Sequence, residues 1–555
     1  MGLSPLTMGV LASRMPAGET DRWLRPDLGV VLDHNPHQMR GMDVTIERLR
    51  RALRDRERIF VVTDYDVDGT TSSLILQHAL HLAGGGSASL AWHIPDRFDE
   101  GYGFRPVAAD KARDLGCSLV ITADIGVRDH DAVDRARSLG LDVLICDHHL
   151  PAGAAVPPNA TSVLCPPQVG CDYPNAALAA CGVSLKVAQA LLATHPRRDT
   201  LLRSFLKLAA IGTVADVVDL STTENRAIVA LGMAELARGP HSPGLAALMA
   251  VSGLNTGRAL TARDLGFALG PRINAAGRLE KATDVVELLN EKDPARALER
   301  AQALNTVNSE RQGLQKELEA AATAQIPNPL PAFVVVWGDE DRENGSPWHR
   351  GIAGIVAARI RESVLRPVAV VTVSGGTARG SIRSVDGVHA VDALDSVSDL
   401  LDRYGGHPAA AGFTLNAAHL PQFAARLDEW ARNNNVHTRT PEHIFDIAVQ
   451  AEEVSLATAR ELATLGPFGK GNPTPVLCIE GVRVSNVSTM GSERNHLKFR
   501  AHGRTAVWWR GAVHAPLFQA NRPVDLLVHL EENHGNGRVE LQIVVEDARY
   551  SEGVA

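Results

Sequence analysis

The sequence predicts a multidomain α/β protein with a parallel-sheet domain, a long connecting helix, a smaller α/β domain and a C-terminal β-barrel. Its 555 residues are too many for one hydrophobic core, since a domain holds roughly 100 to 200 residues. In the first half, β-branched runs alternate with helical patterns, which is typical of βαβ units. Near the C-terminus the helical pattern is largely lost, and short strand-like runs are separated by Gly and Asn turns.

Residues 1–58 are predicted to form an N-terminal arm followed by a helix. The first forty or so residues are rich in Pro, Gly and Arg, which favours a loosely structured arm. Residues 44–58 then show a charged amphipathic pattern. This pattern is typical of a helix that packs one face against the rest of the protein.

Residues 59–293 are predicted to form the parallel-sheet domain. The first strand-like run has no charged residue, as expected for a strand that is buried on both faces. Further strand-like and helical runs alternate after it, so we expect one doubly wound parallel sheet. The predicted strands are IFVVT (59–63), SLAWHI (89–94), CSLVITA (117–123) and DVLIC (142–146).

Acids and histidines follow three of these predicted strands. Because the carboxyl ends of parallel strands meet at one edge of a sheet, we expect these side chains to lie together. A single D-x-D-x-D run is more often an acidic surface loop, but acids at three strand ends are difficult to explain by solvation. Hard oxygen ligands at this density suit Mg²⁺ or Mn²⁺. The residues are Asp64, Asp66 and Asp68 after the first strand, Asp124 after the third, and Asp147, His148 and His149 after the fourth.

The middle of the chain, residues 174–326, is helical in pattern and rich in Ala and Leu. Asp216 lies there, where an apolar helix stops and the chain turns. On its own, this position is typical of a carboxylate at a helix end. The last long helix ends at IPNPLP (326–331), because proline cannot continue a helix. We therefore place a connecting helix and linker at residues 294–330.

Two further domains are predicted after the linker. In residues 331–435, PVAVVTV and TARGSIRS read as two strands joined by a Gly-Gly turn, with Ser381 and Arg383 on the second strand. Residues 442–550 favour a small closed β-barrel of the oligonucleotide-binding (OB) type. Trp508 and Trp509 are adjacent there, and neighbours on a strand point to opposite faces, so we expect at least one of them to fill the barrel core.

Composition limits the functions that this chain can have. A net charge of −8 argues against a uniformly basic nucleic-acid coat, so a polyanion would need a local basic cleft or metal ions. The six cysteines form no C-x-x-C pair, which indicates reduced thiols. No run reaches the ~18 apolar residues of a membrane span, and the N-terminus lacks a signal pattern. We therefore expect a cytoplasmic protein.

Four acidic segments resemble the motifs of the DHH phosphoesterase superfamily, and further segments resemble its RecJ branch, the 5′→3′ single-strand-specific DNA exonucleases. The resemblance runs from about Ile59 to the C-terminus, and the ordered set is highly specific although each motif alone is weak. Two departures, Ile125 where the family commonly has Cys and Asp96 where Asn is common, replace no presumed ligand. The superfamily segments are DYDVDG (64–69), TADIG (122–126), DHH (147–149) and GTVADV (212–217). The RecJ-like segments are IPDRFDEGYGF (94–104), PRINAAGR (271–278), WHRGIAGIVAAR (348–359), GSIRS (380–384), GGHPAAAGF (405–413) and GPFGKGNPTP (466–475).

The resemblance implies a DHH catalytic domain at 59–293, a DHH-associated (DHHA1) domain at 331–435 and two divalent ions, Mn²⁺ or Mg²⁺. Two metals roughly 3.5 to 4 Å apart activate a water and stabilise the leaving oxygen of a phosphodiester. Asp64 and Asp147 are implied either as ligands or as supports of ligands, and His149 as a contact of the scissile phosphate. The implied metal set is Asp64, Asp66, Asp68, Asp124, Asp147, His148 and Asp216, and the implied catalytic set is Asp147, His148 and His149.

A second implied site binds the 5′-terminal phosphate of the strand. Arginine offers a forked, permanently charged donor set that fits phosphate. A surface ion pair is the ordinary alternative for each arginine, and an ordinary strand hydroxyl is the alternative for Ser381. The alanine-rich segment after His407 is alternatively the start of a helix. The implied residues are Arg97, Arg278, Ser381 and Arg383, with His407 as a nucleotide contact.

The function implied by the resemblance is metal-dependent degradation of single-stranded DNA, 5′→3′, to 5′-mononucleotides in recombination and repair. A helicase and a single-strand-binding protein are the implied partners. Two alternatives remain: a phosphodiesterase for short oligonucleotides or cyclic dinucleotides, and a non-catalytic DNA-binding replication scaffold. The C-terminal barrel argues for a polymer substrate, and the complete set of acids argues for catalysis. The GPFGKGNPTP segment favours a packing role over direct DNA contact.

Overall fold

The computed structural model describes residues 3–15, 20–151, 153, 155–254, 257–341, 345–436, 444–519, 522–535 and 538–551. The chain forms two compact units. The first comprises Met1–Pro271, Val285–Leu298 and Ile444–Ala555, and the second comprises Arg272–Asp284 and Glu299–His443. The predicted boundary between residues 435 and 442 falls largely on residues 437–443, which lie outside the described residues.

Among the described residues, four α-helices and one 3₁₀ helix (Pro36–Gln38) precede the first strand: the α-helices are α1 (Pro5–Ala12), α2 (Thr20–Leu24), α3 (Leu28–Asp33) and α4 (Met42–Arg54). The prediction of a loosely structured arm is therefore wrong. Local signals for two of these helices exist. Ser4 caps α1 and Asp27 caps α3, because each side chain accepts a hydrogen bond from the backbone N–H of the residue three positions later. Helices this short are stable only when they are packed, and most of their apolar side chains are buried, with Met8 and Val44 as exposed exceptions. α4 starts and ends a few residues earlier than predicted.

A five-stranded parallel sheet belongs to the first unit. Its strands are β1 (Arg58–Thr63), β2 (Ser89–His93), β3 (Leu119–Ala123), β4 (Asp142–Cys146) and β5 (Ser162–Leu164), and the helices among them are α5 (Val67–Ala83), α6 (Pro106–Asp114) and α7 (His130–Ser138). The strand order is β2-β1-β3-β4-β5, and every pairing is parallel. All residues of β3 are buried, so both faces of the sheet are covered. The predicted doubly wound sheet is confirmed.

A helical segment follows the sheet, as predicted. It contains α8 (Ala180–Leu191), α9 (Arg198–Ala215), α10 (Thr223–Arg238), α11 (Pro243–Val251), α12 (Ala262–Asp264), a π-helical turn (Leu265–Leu269), α13 (Gly270–Leu279), α14 (Thr283–Asn290) and the long α15 (Pro294–Ala324). α5 and α8 pack on strands of the parallel sheet, and α9 packs on both helices.

A buried ion pair joins this helical segment to the N-terminal helices. Nζ of Lys186 in α8 lies 2.6 Å from Oε1 of Glu224 in α10, and both side chains are fully buried. The Lys186 ammonium also donates hydrogen bonds to the carbonyl oxygens of Val31 (2.6 Å) and His34 (3.0 Å). Tyr173 donates its hydroxyl to Glu224. Because buried charges require partners, this cluster fixes α3 on α8 and α10.

The second unit contains a mixed five-stranded sheet in the order β6-β7-β8-β10-β9. Its elements are β6 (Val334–Asp339), α16 (Arg350–Val364), β7 (Val368–Ser374), β8 (Thr377–Arg383), α17 (Ala390–Asp395), β9 (Leu401–His407), β10 (Ala410–Asn416) and α18 (Leu420–Asn433). β7 and β8 are joined at Gly375 and Gly376, both with positive φ, as the Gly-Gly turn predicted. The segment around His407 forms the β9–β10 hairpin, so the helical alternative for it is wrong.

The C-terminal part of the first unit is a seven-stranded sheet in the order β11-β12-β16-β17-β15-β14-β13. Its elements are β11 (Ile447–Val449), α19 (Leu456–Ala463), β12 (Leu477–Val482), β13 (Val484–Met490), β14 (His496–Ala501), β15 (Arg504–Trp508), α20 (Ala515–Gln519), β16 (Val524–Gly535) and β17 (Arg538–Tyr550). Trp508 is buried whereas Trp509 is 50% exposed, so the expectation that one of them fills the core is confirmed.

Helices α1 and α2 share the hydrophobic core of this C-terminal sheet. Leu6, Val10 and Trp23 pack into one cluster with residues such as Ile479 and Phe499. Polar contacts reinforce the packing: Arg14 makes a 2.7 Å ion pair with Asp446, and the backbone N–H of Ser4 donates to Glu461. Within the described ranges, no helix has both the length and the apolar character needed to cross a membrane.

Candidate metal centre

The loop from β1 into α5 carries three carboxylates. Asp64 is buried at the strand end, and Asp66 caps α5 by accepting a 3.0 Å hydrogen bond from the backbone N–H of Gly69. A Cβ at Gly69 would lie 2.3 Å from the carbonyl oxygen of Asp64. Glycine therefore allows the helix to start close to the strand end, which keeps the third carboxylate, Asp68, beside the first two.

Asp68 is buried among three helices. Its two oxygens accept hydrogen bonds from the backbone N–H groups of Ala180 (2.7 Å) and Cys181 (2.9 Å) at the start of α8. The partial positive charge of a helix N-terminus stabilises such a carboxylate. A Cβ at Gly212 of α9 would lie 3.0 Å from Oδ1 of Asp68. The helices thus fix the orientation of this carboxylate.

Asp124 directly follows β3 and has a left-handed backbone conformation, with φ of 65°. A residue other than glycine is uncommon there, and such strain costs about 1–3 kcal/mol and clusters at functional sites. Its backbone N–H donates a 3.0 Å hydrogen bond to the carbonyl oxygen of Cys146, which ties the loop to the end of β4. The buried Asp124 carboxylate lies 3.2 Å from Nε2 of His148.

Asp147 is buried, and both of its oxygens accept hydrogen bonds from neighbouring residues. Oδ1 accepts from the backbone N–H of His148 (2.8 Å) and from Nδ1 of His149 (2.8 Å), and Oδ2 accepts from the backbone N–H of Val127 (3.0 Å). Burial opposes ionisation, but the hydrogen bond and charge of His149 hold the pKa of Asp147 below its usual range. Asp147 belongs to none of the donor groups that the described residues form.

His148 and Asp216 complete the cluster. Nε2 of His148 lies 3.7 Å from Asp216 and 3.9 Å from Asp68. Burial lowers the pKa of His148, which favours the neutral imidazole that a metal requires. Among the described residues, Nε2 of His148 and Oδ1 of Asp64 are buried without a hydrogen-bond partner. Buried polar atoms normally have partners, and a cation held between these side chains would supply one.

The residues of these loops form three groups of donor atoms, and within each group all atoms lie within 4.8 Å of one another. Oxygen-rich donors with one or two imidazoles fit Mn²⁺, and the all-carboxylate group fits Mg²⁺ as well. The sequence-predicted convergence of the strand ends is confirmed, and Asp216 joins them. The groups are Asp64, Asp66 and Asp124; Asp68, His148 and Asp216; and Asp124, His148 and His149.

Burial and mutual repulsion raise the pKa values of these carboxyl groups. The pKa of Asp64 rises well above its usual range through burial and then the charge of Asp66, and the pKa of Asp124 rises in the same way. Burial, followed by the charges of Asp68 and Asp66, raises the pKa of Asp216 to about 8. So many ionised groups are compatible in one buried cluster only when cations are present. The residues therefore fit a site for divalent metals.

The raised pKa of Asp216 predicts how the stability of the metal-free protein depends on pH. An acid whose folded-state pKa exceeds its unfolded value of about 3.9 favours folding at low pH, and this contribution is lost as pH rises through about 8. In chelator, the free energy of unfolding of the wild type, measured relative to that of Asp216→Asn, should therefore fall by on the order of a few kcal/mol between pH 5.5 and 8.5. Urea unfolding measures this, with Mn²⁺ expected to remove the loss. A stability difference between the wild type and Asp216→Asn that does not change with pH would contradict the raised pKa of Asp216.

Two aromatic residues that sequence reasoning did not assign form a chain of contacts to His149. The Tyr102 hydroxyl is 3.3 Å from Nε2 of His149, and the Tyr65 ring packs edge-on against Tyr102. The Arg97 guanidinium lies 4.3 Å above the Tyr65 ring. The signal was present: Tyr102 stands between Gly101 and Gly103, both with positive φ, which presents the tyrosine on a tight turn.

In the second unit, the structure brings together Arg278, Ser381 and Arg383 near the start of α16. Arg383 donates a 2.8 Å hydrogen bond to Oγ of Ser381, and Arg278 donates a 3.0 Å hydrogen bond to the carbonyl oxygen of Gly351 in the first turn of α16. A Cβ at Gly354 would lie 2.9 Å from both Ser381 and Arg383. Glycine thus lets the helix approach these two polar groups. Arg97 belongs to the other unit.

His407 lies in line with Arg383 across the second sheet. Arg383 pairs with Ala410 on β10, and Ala410 pairs with His407 on β9. Two strand spacings of about 4.8 Å therefore separate the backbones of His407 and Arg383. His407 is exposed at the end of the hairpin. This places it on an accessible edge of the same sheet rather than in a core.

Three segments of the chain match known families. Residues 58–213 match the DHH family, N-terminal domain, residues 331–433 match the DHHA1 domain, and residues 445–547 match the RecJ OB domain. The single-stranded-DNA-specific exonuclease RecJ of Salmonella typhimurium is 32% identical over 92% of this chain and 90% of its own length. The chain belongs to the RecJ family. Its predicted architecture of DHH, DHHA1 and OB-like domains is therefore confirmed.

Two other RecJ proteins extend this comparison. RecJ of Bacillus subtilis is 34% identical over 94% of this chain and 64% of its own length, so this chain spans less than two thirds of that relative. The crystal structure of RecJ in complex with Mn²⁺ from Thermus thermophilus matches with a TM-score of 0.80 and 29% identity, over 100% of this chain and 79% of that one. Together with the donor groups described above, a Mn²⁺-bound RecJ confirms the prediction of a divalent-metal cofactor.

Proposed function

We propose that this chain is a metal-dependent exonuclease that degrades single-stranded DNA 5′→3′ to 5′-mononucleotides. The observation that carries the proposal is the cluster at the sheet edge, where the buried Nε2 of His148 lies within 4 Å of three carboxylates. Membership of the RecJ family gives this cluster its substrate class. Asp64, Asp66, Asp68, Asp124, His148 and Asp216 would hold two divalent ions, as the three donor groups support.

His149 is proposed to bind the scissile phosphate. When bound, the metal ions supply Lewis acidity and an activated water. Burial lowers the pKa of His149, but the hydrogen bond and charge of Asp147 outweigh this and raise it to about 9. In the metal-free protein the imidazolium is then the main form at neutral pH, with Nδ1 donating to Asp147 and Nε2 facing the Tyr102 hydroxyl. A charged donor is suited to the negative charge that develops on phosphate.

Asp147 is proposed to position His149 rather than to bind metal. Both oxygens of Asp147 already accept hydrogen bonds from Val127, His148 and His149. Orientation of a catalytic histidine by a buried carboxylate is a recurrent arrangement in hydrolases. Tyr102, at 3.3 Å from the other ring nitrogen, limits the rotation of the imidazole from the opposite side.

Arg278, Ser381, Arg383 and the start of α16 are proposed to bind the 5′-terminal phosphate, with His407 as a further contact, whereas the role of Arg97, which belongs to the other unit, stays a prediction from the resemblance. The N–H groups at a helix N-terminus attract anions, and Arg383 and Ser381 lie on one strand face beside that helix. Arginine forks match phosphate geometry. A phosphate site of this kind would set 5′→3′ polarity.

The Arg383→Ala variant should lose preference for 5′-phosphorylated strands. One charge-assisted contact contributes about 1.5–3 kcal/mol, so the preference for a 5′-phosphate over a 5′-hydroxyl end should fall on the order of ten- to a hundredfold. Competition between the two substrates in one reaction measures it. Arg426→Ala, which removes a half-buried arginine paired with Asp399 in the same unit, is the control. An unchanged preference would contradict the phosphate assignment.

The cellular setting is proposed by analogy with the family. Single-strand specificity implies that a helicase supplies the strand, and a single-strand-binding protein would keep it open, in recombination and repair. All six cysteines have free thiols, five of them buried, which supports a reducing, cytoplasmic environment.

Nucleotide release from 5′-labelled and 3′-labelled single strands tests the function, with Mn²⁺, Mg²⁺ or chelator and with duplex DNA as the comparison. We expect early, metal-dependent release of the 5′ label as a mononucleotide, and little release from duplex. Activity on dinucleotides but not on longer strands would instead identify a short-oligonucleotide phosphodiesterase. Inertness on both would identify a non-catalytic scaffold.

A further inference from the structure

A segment of the C-terminal domain docks on the loop that follows Asp216. The backbone N–H of Leu220 donates a 2.8 Å hydrogen bond to the carbonyl oxygen of Lys470. A Cβ at Gly469 would lie 2.8 Å from Leu220, and one at Gly471 would lie 1.8 Å from the Asp219 carboxylate. Glycines on both sides of Lys470 therefore permit this contact. The predicted packing role of GPFGKGNPTP is confirmed, and this packing delivers one lysine to the loop of Asp216.

The Lys470 side chain is not used by the fold. It is exposed, and within the described part of the chain its ammonium makes no hydrogen bond or ion pair. Its backbone is held on the loop that leads away from Asp216, because Leu220 donates a hydrogen bond to its carbonyl oxygen and the Asp219 carboxylate lies against its neighbour Gly471. A lysine that is fixed at its backbone on this loop, with an exposed side chain, is suited to bind an anion that approaches the carboxylate cluster.

We propose that Lys470 binds a non-bridging phosphate oxygen of the substrate strand beside Asp216. The C-terminal domain would then contribute a substrate-binding residue to the metal centre, in addition to any binding on its own strands. The inference rests on the proposed exonuclease function. The chain carries a net charge of −8, and a local cation at the entrance of an acidic centre offsets its repulsion of a polyanion. A flexible point charge also tolerates any base sequence.

The proposal is tested by a cycle that combines the Lys470→Gln variant with substrates in which one phosphate is neutral, analogous to a double-mutant cycle. Single-turnover hydrolysis in Mn²⁺ is measured on 5′-phosphorylated single strands that carry one methylphosphonate at the first, second, third or fourth linkage. One charge-assisted contact corresponds to about tenfold in rate or affinity. We expect Lys470→Gln to slow the hydrolysis of unmodified DNA by this factor. We expect it to have no effect on the rate when the linkage that Lys470 contacts is neutral. Lys470→Arg should retain most of the rate.

The controls separate this inference from the proposed function. Lys292→Gln removes another exposed lysine from the same unit and should behave as the wild type. An unchanged Mn²⁺ affinity of Lys470→Gln, measured by calorimetry, is expected, because the lysine contacts phosphate and not metal. Equal activity of wild type and Lys470→Gln, or a defect independent of every methylphosphonate, would overturn the role of Lys470. An inactive wild type would overturn the exonuclease function itself.

Discussion

Asp124→Asn should abolish hydrolysis and at the same time stabilise the metal-free protein. Asp124 belongs to two of the three donor groups, and metal ions supply several kcal/mol to the transition state, on the order of a thousandfold in rate. Without metal, burial and the charges of Asp66 and Asp68 raise the pKa of Asp124 well above its usual range. An uncharged isostere removes that repulsion, so the unfolding temperature in chelator should rise.

Mn²⁺-dependent nucleotide release, Mn²⁺ titration calorimetry and thermal unfolding in chelator measure hydrolysis, metal binding and stability in turn. Asp131→Asn is the matched control, because it makes the same change at an exposed position in the first turn of α7. Mn²⁺-dependent turnover by Asp124→Asn at the wild-type rate would remove Asp124 from the metal site. A lower unfolding temperature in chelator would show that repulsion at this position is already relieved.

Glu224→Gln should destabilise the protein by about 3–5 kcal/mol, the usual loss when one partner of a buried pair is removed. The Lys186 ammonium would remain fully buried without its carboxylate. Lys186 also holds the carbonyl oxygens of Val31 and His34. The N-terminal helices should therefore loosen first, which hydrogen exchange over residues 20–40 would detect, and urea unfolding gives the total loss.

The double variant Lys186→Met/Glu224→Gln separates charge from packing. Because it removes the uncompensated charge, it should be more stable than Glu224→Gln alone, although the acceptors of Lys186 lose their donor. Strictly additive losses in the two single variants would mean that the pair is not coupled. Fast exchange confined to regions other than residues 20–40 would contradict the proposed link to α3.

Hydrophobic periodicity was sufficient to predict the parallel sheet and the convergence of its strand ends, since both follow from local patterns. Asp124 could be placed at the metal centre because it directly follows β3. The sequence left open whether Asp147 binds metal or positions His149, because the answer depends on which backbone N–H groups point at its carboxylate. Such directions arise from loop conformation, which residue spacing does not determine.

Helices α1 and α2 escaped prediction for a different reason. Many of the residues that pack against Leu6, Val10 and Trp23 lie near the other end of the chain, so the local pattern alone does not indicate which core they join. Tyr102 was overlooked although its two glycines were visible, because a lone aromatic in a loop carries no periodic signal. Patterns within one element predict that element, whereas contacts between distant elements require the folded chain.

The contact between α1 and the C-terminal core constrains how a newly made chain can mature. Arg14 and Asp446 are 432 positions apart. At a synthesis rate of roughly 5–20 residues per second, the first helix waits about 20 to 90 seconds before its partner strands exist. Throughout that time its apolar side chains have no native partner. The OB-like domain therefore completes its core only after residues 444–545 have been synthesised, and until then the apolar side chains of the first helix lack these partners.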